Sequence, residues 1–402
     1  MLSGLNNKKS TISVAFLVDY PHYIGGINYI NNLLEALASS GDGLIIPYVF
    51  IGTKKCNLLK DSFSKNATVI ESELFDRKSI SWLAYKLKYK LLGRLDSINQ
   101  LMLKHGIDIV SHSDVCGKNL PYKTINWLPD FQFLVMPKMF SWFERFKRNR
   151  LYKRSIAFSD LLIVSSEDAL GHLHQFYSVE PNCVRVLRFV STVNPVIFEK
   201  SELDFKSYLE ECYGIKNKYF YCPNQFWKHK NHVTLLSACK LLKDQGVDIT
   251  IVFSGREHDF RHPNYFESIR VFIAENGIQR NVKLLGIIPL NDVYGLMRNC
   301  VSVINPSLFE GWSTTVEEVK SIGKNIILSD LSVHREQAPQ SVQFFYPTNA
   351  EDLASCLLQN WLHQEGGPDS ALEEESRELI DDRKKEFGDK YATCIREVVL
   401  SK

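Results

Sequence analysis

Short apolar runs suited to buried strands alternate with helix-length amphipathic stretches along the whole chain, and few folds accept that rhythm. In the first half the strand candidates are 13–19, 45–51, 107–110, 123–127 and 161–164; in the second they are 219–222, 248–253, 282–284, 301–304, 325–328 and 342–345. Near-continuous apolar runs of this kind belong to parallel sheets covered by helices on both faces. Each series suffices for one doubly wound α/β domain. The break is expected between Asn194 and Lys216, where Pro195 and the polar helix SELDFKSYLEECYG separate the two series. That gives a first domain over 1–200, a second over 201–380 and a closing helix over 381–402. Such folds bind ligands beyond the carboxyl ends of their strands, so two facing domains are expected to form a cleft.

A chain of 402 residues exceeds the size of one hydrophobic core. With 45% apolar and 23% charged residues the composition is that of an ordinary globular protein, and a net charge of +2 singles out no partner. The nine cysteines contain no CxxC pair, so neither a metal site nor a disulfide framework is expected, and a reducing cytoplasm fits. Lys8 and Lys9 precede an apolar run in the manner of a signal peptide. The run 12–18 is short, however, is interrupted by Ser13 and ends at Asp19, with no small-residue cleavage site. No stretch reaches the roughly 18 apolar residues of a spanning helix. A soluble or peripheral protein is expected.

The densest functional signal is NPSLFEGWSTTVEEVKSIG over 305–323, which places Glu310 and Glu318 with seven residues between them across a loop entering a helix. Thr315-x-x-Glu318 or Thr314-x-x-Glu317 reads as a capping box. The free N–H groups of such a helix start suit a phosphate, and the two carboxylates suit hydroxyl groups at either end of a diphosphate-linked molecule. Taken alone, Glu318 also reads as a cap and Glu310 as a solvated loop charge. Three other elements share the chain with it. Gly25 and Gly26 follow the first strand and allow backbone to approach a ligand closely, or simply make a tight turn. Lys230-Asn231 ends the loop of FYCPNQFWKHKNHVTLL at a helix start, where the dipole disfavours a cation unless an anion joins it. Gly255 closes a second-half strand in VFSGREHD, and Gly286 follows another in VKLLGIIPL.

These residues resemble the Glu-x7-Glu signature of retaining glycosyltransferases of family 4, of the bacterial polysaccharide and O-antigen type, which have the GT-B fold. The order Gly25-Gly26, Lys230-Asn231, Gly286, then Glu310 and Glu318 is the family order, and the likeness is strongest over 219–337. The resemblance implies two Rossmann-like domains and a final helix crossing back to the first, for which Phe387, Tyr391, Cys394, Ile395 and Val398 form a docking face. It implies that Glu310 lies against the transferred sugar, that Glu318 accepts from the ribose, and that the amides of Gly311, Trp312, Ser313, Thr314 and Thr315 hold diphosphate and sugar. Gly286, Ile287 and Ile288 would line the base, although Ile287 and Ile288 read equally as core. Lys230 would bind the diphosphate. Gln225 stands where the family has an arginine, so the charge would fall on Lys230, with Lys228 as helper. Many relatives carry a His-Asp pair where this chain has Pro129-Asp130. Asp130 and His112 are therefore open between acceptor binding and loop capping or a structural role.

Retention in the resembled family proceeds by front-face displacement without a protein nucleophile, and neither metal nor cofactor is expected, since no acidic pair follows a strand. The segments WLAYKLKYKLLGR over 82–94 and FSWFERFKRNRLYKR over 140–154 mix aromatic and leucine residues with lysine and arginine. They suit an anionic membrane surface or a core helix with a solvated basic face; no nucleic-acid motif accompanies them. The expected function is transfer of a hexose from a nucleotide sugar to a glycan or lipid-linked acceptor. An inert GT-B partner subunit and a nucleotide-sugar epimerase remain the alternatives.

Overall fold

The structure is a computed structural model and describes residues 11–19, 24–41, 43–54, 56–92, 95–199 and 202–400. The chain divides into two compact units, one comprising Met1–Phe131, Phe143–Val190 and Asp381–Lys402, the other Gln132–Trp142 and Ser191–Ile380. The first unit is built on β1 (Ile12–Val18), β2 (Ile45–Ile51), β3 (Thr68–Glu71), β4 (Ile109–Ser111), β5 (Lys123–Leu128), β6 (Leu161–Val164) and β7 (Val184–Val186). They form one parallel sheet in the order β3-β2-β1-β4-β5-β6-β7. The two edge strands β3 and β7 were absent from the expected set. Each has one neighbour in the sheet and only two apolar residues, TVIE and VRV, so neither carries the continuous apolar run of a central strand.

The second unit contains β8 (Phe220–Cys222), β9 (Ile251–Phe253), β10 (Val282–Leu284), β11 (Val303–Asn305), β12 (Ile326–Ser329) and β13 (Val342–Phe345), again all parallel, in the order β10-β9-β8-β11-β12-β13. Successive residues of a strand point to opposite faces. Phe220, Cys222, Ile251, Phe253, Ile304 and Ile327 accordingly fill one core layer, and Tyr221, Val252, Val303 and Leu328 the other. Each fully buried phenylalanine here contributes roughly 1.5–3 kcal/mol of transfer free energy. In both sheets the strand order reverses once, between β1 and β4 in the first and between β8 and β11 in the second. A ligand of a doubly wound fold sits at such a reversal.

The segment Gln132–Trp142, read from sequence as part of the first domain, packs with the second unit. The cause is Arg261, whose guanidinium lies 4.5 Å over the Phe140 ring and whose Nη1 donates to Gln132 Oε1 at 3.2 Å. At the far end of the chain a long helix, Ser370–Leu400, begins among the residues of the second unit and from Asp381 belongs to the first. Its early turns are held by Glu373, which takes Arg298 on both oxygens at 2.6 and 3.1 Å. Its later turns bury Phe387, Tyr391, Ile395 and Val398, and Tyr391 Oη donates to Ser111 Oγ at 2.8 Å. Gly388 lets this helix meet the helix Ile24–Ser39 backbone to backbone, because a Cβ there would overlap the Ala36 carbonyl.

Candidate active site

The reversal point of the second sheet is stitched by two asparagines. Asn224 follows β8 and Asn305 ends β11, and Asn224 Nδ2 donates to Asn305 Oδ1 at 3.1 Å. Just beyond Asn224 the chain runs so close to the end of β9 that a side chain at position 255 is excluded. A Cβ on Gly255 would lie 2.7 Å from Asn224 O and 2.8 Å from Gln225 Cα, and its φ of +144° suits only glycine. Gly255 N donates to Gly286 O at 2.8 Å, which joins two of the expected glycines in one turn layer. Ile287 stands next to it 73% exposed, and Ile288 is packed on the core.

Lys228–Lys230 form one 3₁₀ turn ending at Asn231 in the left-handed region, φ +58°. Asn231 Nδ2 donates to Pro306 O at 3.0 Å and Pro347 O at 2.8 Å, and Leu308 N donates to His229 O at 2.8 Å. The bonds to Pro306 and from Leu308 fasten the lysine turn to the loop carrying Glu310. The result is a short ion pair, Lys230 Nζ to Glu310 Oε1 at 2.6 Å, with both side chains largely buried. Ser307 Oγ reaches the same carboxylate oxygen at 2.7 Å and Asn305 Nδ2 at 3.4 Å. Burial by itself would raise the Glu310 carboxyl, but the Lys230 ammonium and the Ser307 hydroxyl outweigh it and hold it down at about 2. The basic turn also contains Lys228, which is exposed and whose amide donates to Asp259 Oδ2 at 3.1 Å; Gln225 is exposed beside it.

Glu318 has the opposite environment. It lies in the first turns of the helix Thr314–Ile322 and is buried, with Tyr294 Oη donating to it from 3.4 Å. Burial pushes its carboxyl up to about 8, which Tyr294 only partly offsets. The capping box expected at this helix does not form. Ser313 is the N-cap and makes no side-chain capping bond, because its Oγ accepts from Asn305 Nδ2 at 2.9 Å. Glu317 is instead occupied by Gln337 Nε2 at 3.0 Å and Lys320 Nζ at 2.9 Å. The amide of Ser313, expected among the ligand-facing N–H groups of 311–315, donates to Gln337 Oε1 at 2.9 Å. Thr314 is exposed at the helix start and Thr315 buried, its Oγ1 3.5 Å from Asn224 Oδ1. Trp312 is buried and Gly311 half-buried.

Sequence reading missed several residues of this cluster. Asn305 ends a strand at the reversal point and Ser307 lies just beyond it, and that position was the available signal. Gln337 and His334 carry no local signal, being brought in from the helix Ser332–Gln337 beyond β12. His334 is fully buried, its Nδ1 donating to Ser329 O at 2.7 Å, and burial lowers its basicity.

The other expected site residues belong to the first unit. Gly25 and Gly26 lie inside the first turn of the helix Ile24–Ser39 with helical backbone, not in a turn before it; residues 20–23 of the loop lie outside the described set. His112 follows β4 at the first sheet's reversal point with φ +52°. Its Nδ1 is 2.8 Å from Ser111 Oγ and its Nε2 2.9 Å from Tyr29 Oη, and burial drives the imidazole down to about 3. With both nitrogens engaged the ring is a fixed neutral group rather than a free base. Asp130 lies past β5, its carbonyl accepting from Tyr152 Oη at 2.8 Å.

Residues 213–385 match the family model described as glycosyl transferases group 1, which covers most of the second unit and both glutamates. No curated protein matches the sequence. Among solved structures, the chain is similar to a glycosyltransferase from Rickettsia africae, with 18% identity over 98% of this chain and 100% of that one and a TM-score of 0.65. It is similar to sucrose-phosphate synthase from Thermosynechococcus elongatus, with 14% identity, coverage of 97% and 100% and a TM-score of 0.68. It is also similar to Anabaena HepE in complex with UDP-glucose, with 15% identity, coverage of 96% and 98% and a TM-score of 0.64. The fold is GT-B. At these identities the likeness speaks for architecture; Lys230, Glu310 and Glu318 all lie within the matched segment 213–385. No helix of the described residues is long and apolar enough to cross a membrane.

Proposed function

We propose that this protein is a retaining glycosyltransferase of family 4 that moves a hexose from a nucleotide sugar to a glycan or lipid-linked acceptor in cell-surface polysaccharide synthesis. The observation that carries the reading is the Lys230 to Glu310 contact of 2.6 Å at the sheet's reversal point, beside the start of the helix Thr314–Ile322, within the matched segment. A fixed cation, a sugar-side carboxylate and a helix N-terminus are what a diphosphate-linked sugar needs at one place. In the proposed reaction the acceptor hydroxyl oxygen bonds to the anomeric carbon on the face the diphosphate leaves. The bond from that carbon to the phosphate oxygen breaks, and the hydroxyl proton passes to the departing phosphate. Lys230 and the helix amides stabilise the charge that develops there, Glu310 orients the sugar hydroxyls, and Glu318 accepts from the ribose. Lys228, Gln225, Gly255, Gly286 and Ile287 border the nucleotide; Gly25 and Gly26 serve the donor phosphate and the acceptor, and His112 and Asp130 the acceptor side, His112 as a positioning group.

The test is release of nucleoside diphosphate, starting with UDP-glucose because HepE binds it. Release is expected only when an acceptor is added, to persist in EDTA, and to fall about 100-fold or more in Glu310→Gln. Release without acceptor, or full turnover by Glu310→Gln, refutes the proposal. The acceptor reading also implies work at the inner face of the cell membrane.

A further inference from the structure

Resting on the donor reading above, the ion pair itself has a function. We propose that Glu310 competes with the diphosphate for Lys230 and so makes the site select an intact nucleotide sugar over the bare nucleoside diphosphate.

Lys230 Nζ lies 2.6 Å from Glu310 Oε1, and neither side chain is more than 15% exposed. Asn231 and Leu308 hold the two segments together through two backbone-directed bonds, and Asn231 is also anchored to Pro347 O, so the lysine reaches phosphate by turning its side chain rather than by shifting the loop. When the ammonium turns to a diphosphate, Glu310 keeps Ser307 Oγ and Asn305 Nδ2 but loses its cation. Leaving one member of a buried pair unpaired is strongly unfavourable. A nucleotide sugar meets that cost, because its sugar hydroxyls donate to the vacated carboxylate as the diphosphate takes the lysine. A nucleoside diphosphate has no such hydroxyls beyond its phosphates and strands the carboxylate. The same competition acts after transfer: once the sugar has gone, Glu310 reclaims Lys230 and weakens the hold on the product. Glu310 is therefore specificity-determining in addition to orienting the sugar.

Two substitutions shift this selectivity in opposite directions. Glu310→Gln removes the competing charge, so the bare diphosphate should bind at least about tenfold tighter than to the native protein, while the nucleotide sugar gains little. Ser307→Ala removes a donor that supports the carboxylate once the lysine has left, so it should weaken the bare diphosphate more than the nucleotide sugar. Calorimetric titration of the full chain with UDP, GDP, ADP, CDP and thymidine diphosphate, each beside its glucose conjugate, reads both ratios. A preference for the conjugate that collapses in Glu310→Gln and widens in Ser307→Ala supports the proposal. If the native protein binds members of the panel but Glu310→Gln leaves the ratio unchanged, or weakens the bare diphosphate, the competition is overturned while the donor reading stands. Should no member bind the native protein, the donor reading falls and this proposal with it. Circular dichroism of both variants separates misfolding from an altered ratio, and Ser307→Ala alone still decides the sign if Glu310→Gln does not fold.

Discussion

At Glu318 a carboxyl is buried with one tyrosine donor, and its ionisation is tied to what joins it. Its folded pKa, near 8, lies above the ordinary 4.5 of a glutamate. Below about 4.5 it is protonated folded and unfolded alike. As pH rises from there towards 8 the unfolded chain ionises and the folded one does not, so stability is lost across that window at up to about 1.4 kcal/mol per pH unit. The melting temperature should therefore fall between pH 5 and pH 8, and fall less in Glu318→Gln; equal slopes would contradict the assignment. Hydroxyl donors from a ribose favour the charged form, so donor binding at pH 7 should release protons, seen as a dependence of calorimetric heat on buffer ionisation enthalpy. Lys230→Met should reduce transfer by on the order of 100-fold or more through loss of charge on the leaving diphosphate, measured as product release at saturating acceptor.

Among the elements, the helix Ser370–Leu400 gives a test whose sign runs against propensity. Glycine inside a helix normally costs about 1 kcal/mol relative to alanine. Gly388→Ala should nevertheless destabilise by roughly 1–3 kcal/mol, because the added methyl meets the Ala36 carbonyl, which is backbone and cannot give way; a higher midpoint in urea would refute this. The central strands were legible because burial on both faces demands continuous apolar runs, as in LLIV of β6. The edges β3 and β7 were not, since one neighbour and partial exposure relax that demand. Glu310, Glu318 and Lys230 were legible from spacing, yet their states were not. The same residue type is held at about 2 in one place by Lys230, which no spacing links to it, and at about 8 in the other by burial that the Tyr294 hydroxyl only partly offsets. The capping box failed because the helix starts before either threonine: Ser313 is the N-cap, so Thr314 and Thr315 lie inside the first turn and the position three beyond the cap is Val316.

On the scale of the whole molecule, the basic segments read as membrane-facing differ in what they present. In the helix Ile80–Leu92, Ile80, Leu83, Leu87 and Leu91 are exposed, but Lys86 is drawn in, its ammonium 3.0 Å from Asp19. The Lys90 side chain and Arg94 lie outside the described residues. In the helix Trp142–Phe158, Trp142, Phe143 and Phe146 are exposed next to Arg145 and Lys147. If both surfaces meet an anionic membrane, replacing Lys88, Arg145, Lys147 and Arg148 should abolish sedimentation with anionic vesicles while Lys86→Gln should not; unchanged sedimentation of the multiple variant rejects the contact. The division of the chain has a further consequence. Residues Asp381 onward supply Phe387, Tyr391 and Ile395 to the core of the first unit, so a unit begun before the second unit is synthesised is completed by a segment made after it. A nascent chain stalled before Asp381 holds an open seat against the helix Ile24–Ser39, and the first unit's interior stays open until Phe387, Tyr391 and Ile395 have been made.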